Sequence, residues 1–239
     1  MTRLSHVAMP HVVVLALSVF VLLMYPVHSF ASAWILADDY SMSANPNGRW
    51  SYGVSLVPGQ DFTRFTAAQP QPREIDGGVC AGWVGTSFSG AEYFPLIHKC
   101  YGDSGRNALA IGYPPEGPRI VIKQRNGGVY FHPAEGDGGY AVARWTAPAS
   151  TRYVIWVSFY SADHYQGATT DIMVLKNGSP LAEGSVSGLA GSKMYVSPDR
   201  GIWLEAGDVI DIAVGNGGNG YGGDATGVDA VIRTLGVRR

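Results

Sequence analysis

The sequence predicts an all-β protein, an antiparallel β-sandwich of the jelly-roll kind, preceded by an N-terminal signal segment. Three observations carry that expectation. After Ala33 no stretch places apolar residues at i, i+3, i+4 and i+7 over helical length, whereas two-residue alternation recurs. Glycine accounts for 32 of 239 residues and aromatics for 11%, while charged residues reach only 15%. Ordinary soluble domains carry about 25% charged residues, so this composition belongs to turns and strands. Lastly, strand-length apolar segments are separated by Gly, Pro and Asn clusters along the chain.

Residues 1–33 read as a signal peptide. Met1 to His11 hold one firm positive charge, Arg3, and Val12 to Val27 (VVVLALSVFVLLMYPV) run apolar and uncharged. Ala31-Ser32-Ala33 then supplies the small residues of a cleavage site. The competing reading is a retained membrane anchor. A spanning helix wants about 20 apolar residues, and Pro26 and His28 shorten this run. The mature chain, 34–239, is expected to be secreted or extracellular, with the periplasm as the alternative compartment and no membrane contact after cleavage. Its length suits one sandwich domain better than two small ones.

The strands follow in order. Trp34 to Ser43 and Arg49 to Val57 flank the turn Asn45-Pro46-Asn47-Gly48, in which proline sets φ and Asn-Gly supplies positive-φ positions. Ala67 to Gly78, broken by Gln69-Pro70-Gln71-Pro72, and Gly112 to Pro118 are loops within the domain. Gly139 to Thr146 (GYAVARWT) alternates, so Arg144 and Trp145 face opposite ways. Trp145 belongs in the core; Arg144 needs an acidic or carbonyl partner, because a buried unpaired guanidinium is too costly. Arg152 to Tyr160 (RYVIWVSFY) is apolar on both faces and reads as a central strand. Thr170 to Lys176 meets Asn177-Gly178, a tight-turn signal, and returns through Ser179 to Ser187. Asp208 to Val214 and Gly227 to Thr234 complete about ten strands, as a sandwich or jelly roll requires.

Cys80 and Cys100 are the only cysteines. In an exported chain they are expected to form a disulfide, worth about 3 kcal/mol for a loop of this size, with Cα atoms about 4.4 to 6.8 Å apart. No C-x-x-C or H-x-x-x-H spacing accompanies them as metal ligands. A net charge of −2 gives no grip on a phosphate backbone, which excludes nucleic acid as the partner.

The sequence also points away from an enzyme. It has no G-x-S-x-G, no H-E-x-x-H and no G-x-x-x-x-G-K. Cys100-Tyr101-Gly102-Asp103-Ser104-Gly105 looks like the nucleophile motif of trypsin-like proteases, but the one mature histidine upstream, His98, lies six residues away in no such motif.

Trp83, Tyr93, Tyr101, Tyr113, Tyr165 and Tyr221 sit among Gly, Asn, Asp and Ser. Sugar rings present weakly polar C–H faces with a rim of hydroxyls, which a flat aromatic beside neutral or acidic hydrogen-bonding groups suits. Connections at one edge of a sandwich cluster in space. The loops Asp163 to Ala168 and Asn216 to Asp224 are therefore expected to meet. Tyr165 and Tyr221 would form the stacking surface, and Asp163, Gln166, Asn219 and Asp224 would bond ring hydroxyls. Burial of these rings in the core is the competing reading. Gly215 to Gly227 (GNGGNGYGGDATG) also offers oxygen ligands for a single calcium ion, using Asp224 or Asp171; a flexible hairpin loop is the plain alternative.

From Ala37 onward the chain resembles secreted bacterial jelly-roll modules found in multidomain surface proteins, a family largely of unassigned function. The resemblance is carried by Asp39-Tyr40-Ser41, the run Asn45 to Gly53, His132-Pro133 and Ala141 to Pro148. It continues through Thr169-Thr170-Asp171, Leu175 to Gly178, Leu204 to Asp211 and Asp224 to Gly227. It implies a carbohydrate-binding-module-like sandwich with a glycan or cell-surface polysaccharide as partner, and it carries no catalytic residues; the cysteine pair departs from the usual pattern. The expected function is thus a non-catalytic, exported carbohydrate-recognition module. The alternative is an extracellular structural or surface-matrix sandwich that contacts protein, binds no glycan and shows a flat apolar patch.

Overall fold

Alternation along the chain becomes two facing antiparallel sheets in a computed structural model, which describes residues 32–68, 73–75, 78–89, 92–101, 109–111, 120–122, 127–136, 139–163 and 166–235. In chain order the elements begin with β1 (Ala33–Ile35), α1 (Leu36–Asp39), β2 (Trp50–Ser55), β3 (Thr63–Arg64), β4 (Ala67–Ala68) and β5 (Arg73–Ile75). Next come the long hairpin of β6 (Gly78–Ser89) and β7 (Glu92–Tyr101), then β8 (Leu109–Ile111), β9 (Ile120–Ile122) and β10 (Val129–His132). The second half holds β11 (Tyr140–Thr146), β12 (Thr151–Ser161), β13 (Ala168–Lys176) and β14 (Ser179–Gly188). It closes with β15 (Ser192–Val196), β16 (Ile202–Leu204), β17 (Val209–Val214) and β18 (Thr226–Thr234).

The larger sheet runs β15-β12-β18-β10-β7-β6-β4, with β16 also on β12, β1 on β18 and β5 on β6. The smaller runs β14-β13-β17-β11-β2-β3, and β8 pairs with β9. From β10 onward the chain changes sheet at almost every connection. The connections are therefore gathered at the two ends of the sandwich, and sequence-distant loops become neighbours.

Between the sheets lies one apolar core. Tyr153, Ile155, Val157 and Phe159 of β12 face Trp145 of β11, Ile210 and Ile212 of β17, and Ile172 and Val174 of β13, all buried. Trp145 lies 5.1 Å from both Trp34 and Tyr153, ring centre to ring centre. As the alternation required, Arg144 points out of the other face and forms a two-pronged ion pair with Asp211, at 2.7 and 2.8 Å. The outer face of the larger sheet leaves Met194, Val196 and Trp203 exposed on its edge strands.

Cys80 and Cys100 are bonded, directly opposite each other on β6 and β7. Their Cα atoms are 4.1 Å apart, slightly closer than expected. Both backbone groups of Cys100 turn towards Gly127 and Gly128. The cysteines thus occupy a non-hydrogen-bonded pair, where antiparallel strands approach most closely.

Three expectations change. The first strand, read as Trp34 to Ser43, ends at Ile35 and passes into the helical turn α1. There Asp39 Oδ2 accepts hydrogen bonds from Ile35 N and Trp50 Nε1, folding the chain back and sending Tyr40 into the core. Part of Ala67 to Gly78, read as loop, forms β4 and β5 against β6; Gln69 to Pro72 lie outside the described residues. Pairing along β6, β10, β12 and β18 also captures two- to five-residue segments too short to read as strands, which raises the number above ten. Gly112 to Pro118, Ser104 and most of the signal segment lie outside the described residues. Among those described no helix is long and apolar enough to cross a membrane. β1 starts at Ala33, and just before it Ser32 O accepts from Thr234 N at 2.9 Å while Ser32 N donates to Thr234 Oγ1 at 3.1 Å.

Candidate functional site

One end of the sandwich collects the connections β2–β3, β10–β11, β12–β13 and β17–β18. The register puts them there: Ser55 opposes Tyr140, Ala141 opposes Val214, and Ser161 opposes Thr226. The two loops singled out in sequence, 163–168 and 216–224, therefore lie side by side.

Beneath them a polar layer closes the core. Ser161, Asp163, Thr170, Asp224 and Thr226 are all buried. Ser161 Oγ accepts from Ala168 N at 3.0 Å, and the hydroxyls of Thr170 and Thr226 meet at 3.1 Å. Asp163 Oδ1 accepts from Gln166 N at 2.9 Å. Asp224 Oδ1 accepts from both the backbone N and the Oγ1 of Thr169, at 2.8 and 2.9 Å. Its Oδ2 is buried and has no hydrogen-bond partner among the described residues. Burial pushes the Asp224 carboxyl up to about 6; the Thr169 bonds oppose the rise, and Asp171 and Asp163 add to it.

On the outer face of the smaller sheet the same end opens into a cleft of ≈ 660 Å³, lined by Leu56, Val57, Gly136, Gly139, Tyr140, Asp171 and Gly215 to Gly218. Extending the register of β11, β17 and β13 by one residue sets Gly215 between Tyr140 and Asp171. Because Gly215 has no side chain, the Tyr140 hydroxyl reaches across it and donates to the Asp171 carboxylate. A Cβ there would collide with the Tyr140 ring and with Asp171 Oδ1. Burial, then the Asp171 bond, hold the Tyr140 phenol protonated far above its ordinary range.

Asp171 is fixed from the other side by Gly217 N, at 2.8 Å from Oδ1. Asn216 ties the same loop to Gly136 O at 2.9 Å and turns its own Oδ1 to Gly218 N at 3.0 Å. The opposite wall is the β2–β3 loop. Asp61 closes it by accepting from Ser55 Oγ, Leu56 N and Val57 N. Burial works against ionisation there, but these bonds outweigh it and hold the Asp61 carboxyl below its ordinary value. Leu56 and Val57, 60% and 49% exposed, present their side chains to solvent at the rim. Further along the loop Phe62 lies over Arg144, 4.1 Å from its guanidinium carbon.

The sequence-predicted residues divide into two groups. Gln166 and Asn219 are exposed, the latter accepting from Thr169 Oγ1 at 3.1 Å. Tyr221 is half-buried, edge-on to Phe94 and His132 at 5.2 and 5.9 Å, which leaves part of its ring occupied by protein. Asp163 and Asp224 are beneath the surface, and Tyr165 lies outside the described residues. Trp83, one of the loop-like aromatics, is a core residue whose Nε1 donates to Ser41 O. The side chains of Tyr93, Tyr101 and Tyr113 lie outside the description.

Of the two candidate metal ligands, Asp171 is occupied by Tyr140 and Gly217, and Asp224 stands on the far side of Thr169. Among the described residues no three carboxylates bring oxygens within 4.8 Å of one another. The one such cluster, Cys80, His98 and Cys100, has its two sulfurs in the disulfide. Sequence reading passed over Tyr140, Gly215, Leu56 and Val57. The available signal was the tyrosine opening β11 and the glycine ending β17, but only pairing makes them neighbours.

No family model and no curated protein matches the chain. Solved structures that it resembles are carbohydrate-binding modules of the β-sandwich type. One is the family 51 module of Clostridium perfringens GH95 in complex with methyl-galactose, at 12% identity, 85% of this chain, 100% of that chain and TM-score 0.38. Another is the second family 51 module, with GlcNAc, and INT domains of Clostridium perfringens ZmpB, at 14%, 72%, 40% and 0.37. A family 35 module from Clostridium thermocellum follows at 15%, 53%, 87% and 0.26. At these TM-scores no side chain here acquires a role from them.

Proposed function

We propose that this chain is an exported, non-catalytic carbohydrate-recognition module that takes its ligand in the cleft of the smaller sheet. The observation that carries the reading is the row Tyr140–Gly215–Asp171 on the cleft floor. An aromatic ring and a carboxylate are held there by protein hydrogen bonds, beside the exposed aliphatic Leu56 and Val57. Ring C–H groups suit the tyrosine and the aliphatic rim, and sugar hydroxyls donate to the carboxylate lone pairs left by Gly217 and Tyr140. Preorganisation lowers the ordering cost of binding. Among the described residues no lysine or arginine lines the cleft, which favours neutral sugars over anionic ones. The disulfide fits an oxidising compartment, as the export signal in residues 1–33 requires.

The test is a glycan array on the mature chain, followed by calorimetry with the best ligand. An affinity on the order of micromolar to millimolar is expected. Tyr140→Ala and Asp171→Ala should each weaken it about tenfold or more, while Trp203→Ala, on the other sheet, leaves it unchanged. The competing reading, a protein-contacting structural sandwich, draws on the exposed Met194, Val196 and Trp203. An array without any binder, or binding unaffected by both cleft variants, would favour it.

A further inference from the structure

On the outer face of the larger sheet the β6–β7 hairpin brings two sulfurs and an imidazole together. Trp83 and Ile97 point into the core, so strand alternation turns Cys80, His98 and Cys100 the other way. Cys100 stands directly opposite Cys80, and Gly82, which has no side chain, stands opposite His98. A ring nitrogen of His98 and the two Sγ atoms lie within 4.8 Å of one another, and all three residues are buried. Their surroundings are apolar and aromatic. Tyr130, Ala162, Ala225 and the half-buried Tyr160 pack with the cysteines, and the Tyr130 ring centre is 6.0 Å from that of His98. In the structure the sulfurs are bonded to each other; every newly made chain carries them first as thiols.

We infer that in the dithiol form of the chain Cys80, Cys100 and His98 hold one zinc ion, so that this place in the sheet has two exclusive states, disulfide and metal. A tetrahedral zinc, with Zn–S of about 2.3 Å and Zn–N of about 2.0–2.1 Å, sets its donors about 3.5–3.8 Å apart. The imidazole already stands within such reach, and only the sulfurs have to part. Two thiolates, a neutral imidazole and Zn2+ sum to zero charge, which suits a buried site; monovalent copper on the same donors would leave one negative charge there. Three protein ligands leave the fourth place to water. No local sequence spacing announces this set, because Cys80 joins it through strand register. The two states interconvert by balanced chemistry. A dithiol reductant gives two electrons and two protons to the disulfide and itself becomes a disulfide; zinc then displaces both thiol protons. In reverse, oxidised glutathione takes two electrons from the thiolates, the Cys80–Cys100 bond forms, two glutathione thiolates leave and Zn2+ is released. A free thiolate starts that exchange, so bound zinc slows it. None of this depends on whether the cleft of the smaller sheet takes sugar.

The experiment uses the full mature chain, reduced with a dithiol, freed of metal by chelator and desalted without oxygen, and no glycan. Zinc chloride is titrated in competition with a chromophoric chelator, and cobalt(II) serves as a spectroscopic stand-in. One zinc per reduced chain is expected and none per oxidised chain, with close to two protons released at pH 7, where thiols of ordinary pKa, about 8.5, are protonated. Cobalt should give a thiolate charge-transfer band and the intense visible absorption of a four-coordinate site. Cys80→Ser with Cys100→Ser should abolish binding. His98→Phe, which keeps a ring beside Tyr130, should weaken it by at least the roughly 10–100-fold that losing a mere supporting group costs. Oxidised glutathione should close the disulfide about tenfold more slowly, or slower still, in the zinc-loaded chain. No stoichiometric zinc in the folded reduced chain overturns the inference, as does equal binding by the oxidised chain or undiminished affinity in His98→Phe. Should that variant not fold, the His98 imidazole resonances of the wild type decide: they must shift with the first equivalent of zinc. Should the reduced chain itself lose its fold, one equivalent of zinc must restore it by circular dichroism, and failure to do so overturns the inference equally.

Discussion

Arg144 and Asp211 form an ion pair on the smaller sheet, and the two partners differ in depth. The Asp211 side chain is 2% exposed and that of Arg144 24%. Removing one partner of a buried pair costs about 3–5 kcal/mol, because the charge left behind is uncompensated. The loss must therefore depend on which partner is removed. Arg144→Met leaves a carboxylate enclosed between Val142, Ala213 and Leu175, and also takes the support from under Phe62; it should cost about 5 kcal/mol. Asp211→Asn leaves a guanidinium that reaches solvent, keeps its Phe62 contact and still bonds the amide oxygen, so about 2–3 kcal/mol is expected. The pair Arg144→Met with Asp211→Leu should recover most of the loss. Urea unfolding of the three variants measures all of this. Equal losses for the two single changes, or a larger one for Asp211→Asn, would show that depth of burial does not set the cost.

Gly215→Ala should separate Tyr140 from Asp171 and abolish glycan binding, while the fold, read by circular dichroism, persists. Asp61, with its pKa depressed, contributes stability that is complete above its ordinary 3.8 and is lost as pH falls through its lower folded value. The amide resonances of Leu56 and Val57 should accordingly broaden or shift only as pH falls below that ordinary value, and remain shifted at neutral pH in Asp61→Asn. Cys80→Ser with Cys100→Ser should lower unfolding stability by about 3 kcal/mol. Since β6 and β7 remain paired along their length, cleft ligand affinity should not change.

Local chemistry settled a good part of this molecule. The Asn177-Gly178 turn, with φ of +47° and +80°, sets the β13–β14 hairpin. The alternation in β11 places Trp145 inside and Arg144 outside, and the double-sided apolar run of β12 lies between neighbours on both edges. These features depend on residues adjacent in sequence, where side-chain period and turn chemistry act directly. A proximity of the 163–168 and 216–224 loops was also legible, because a chain that keeps changing sheets must collect its turns at the ends.

Only tertiary structure decided which side chains remain available there. Asp163 and Asp224 look like surface ligands in polar, glycine-rich segments, yet both cap the core, since the polar groups at a sandwich end must satisfy one another before they meet solvent. Asp171 and Tyr140 are 31 residues apart and belong to strands that do not touch; the glycine of a third strand, Gly215, leaves the gap that joins them. The helical turn after Ile35 was equally hidden, because Asp39 bends the chain through a bond to Trp50, eleven residues on, which no local propensity contains. Strand period and turns are properties of neighbours along the chain, whereas the cleft is a property of register between strands brought together from across it.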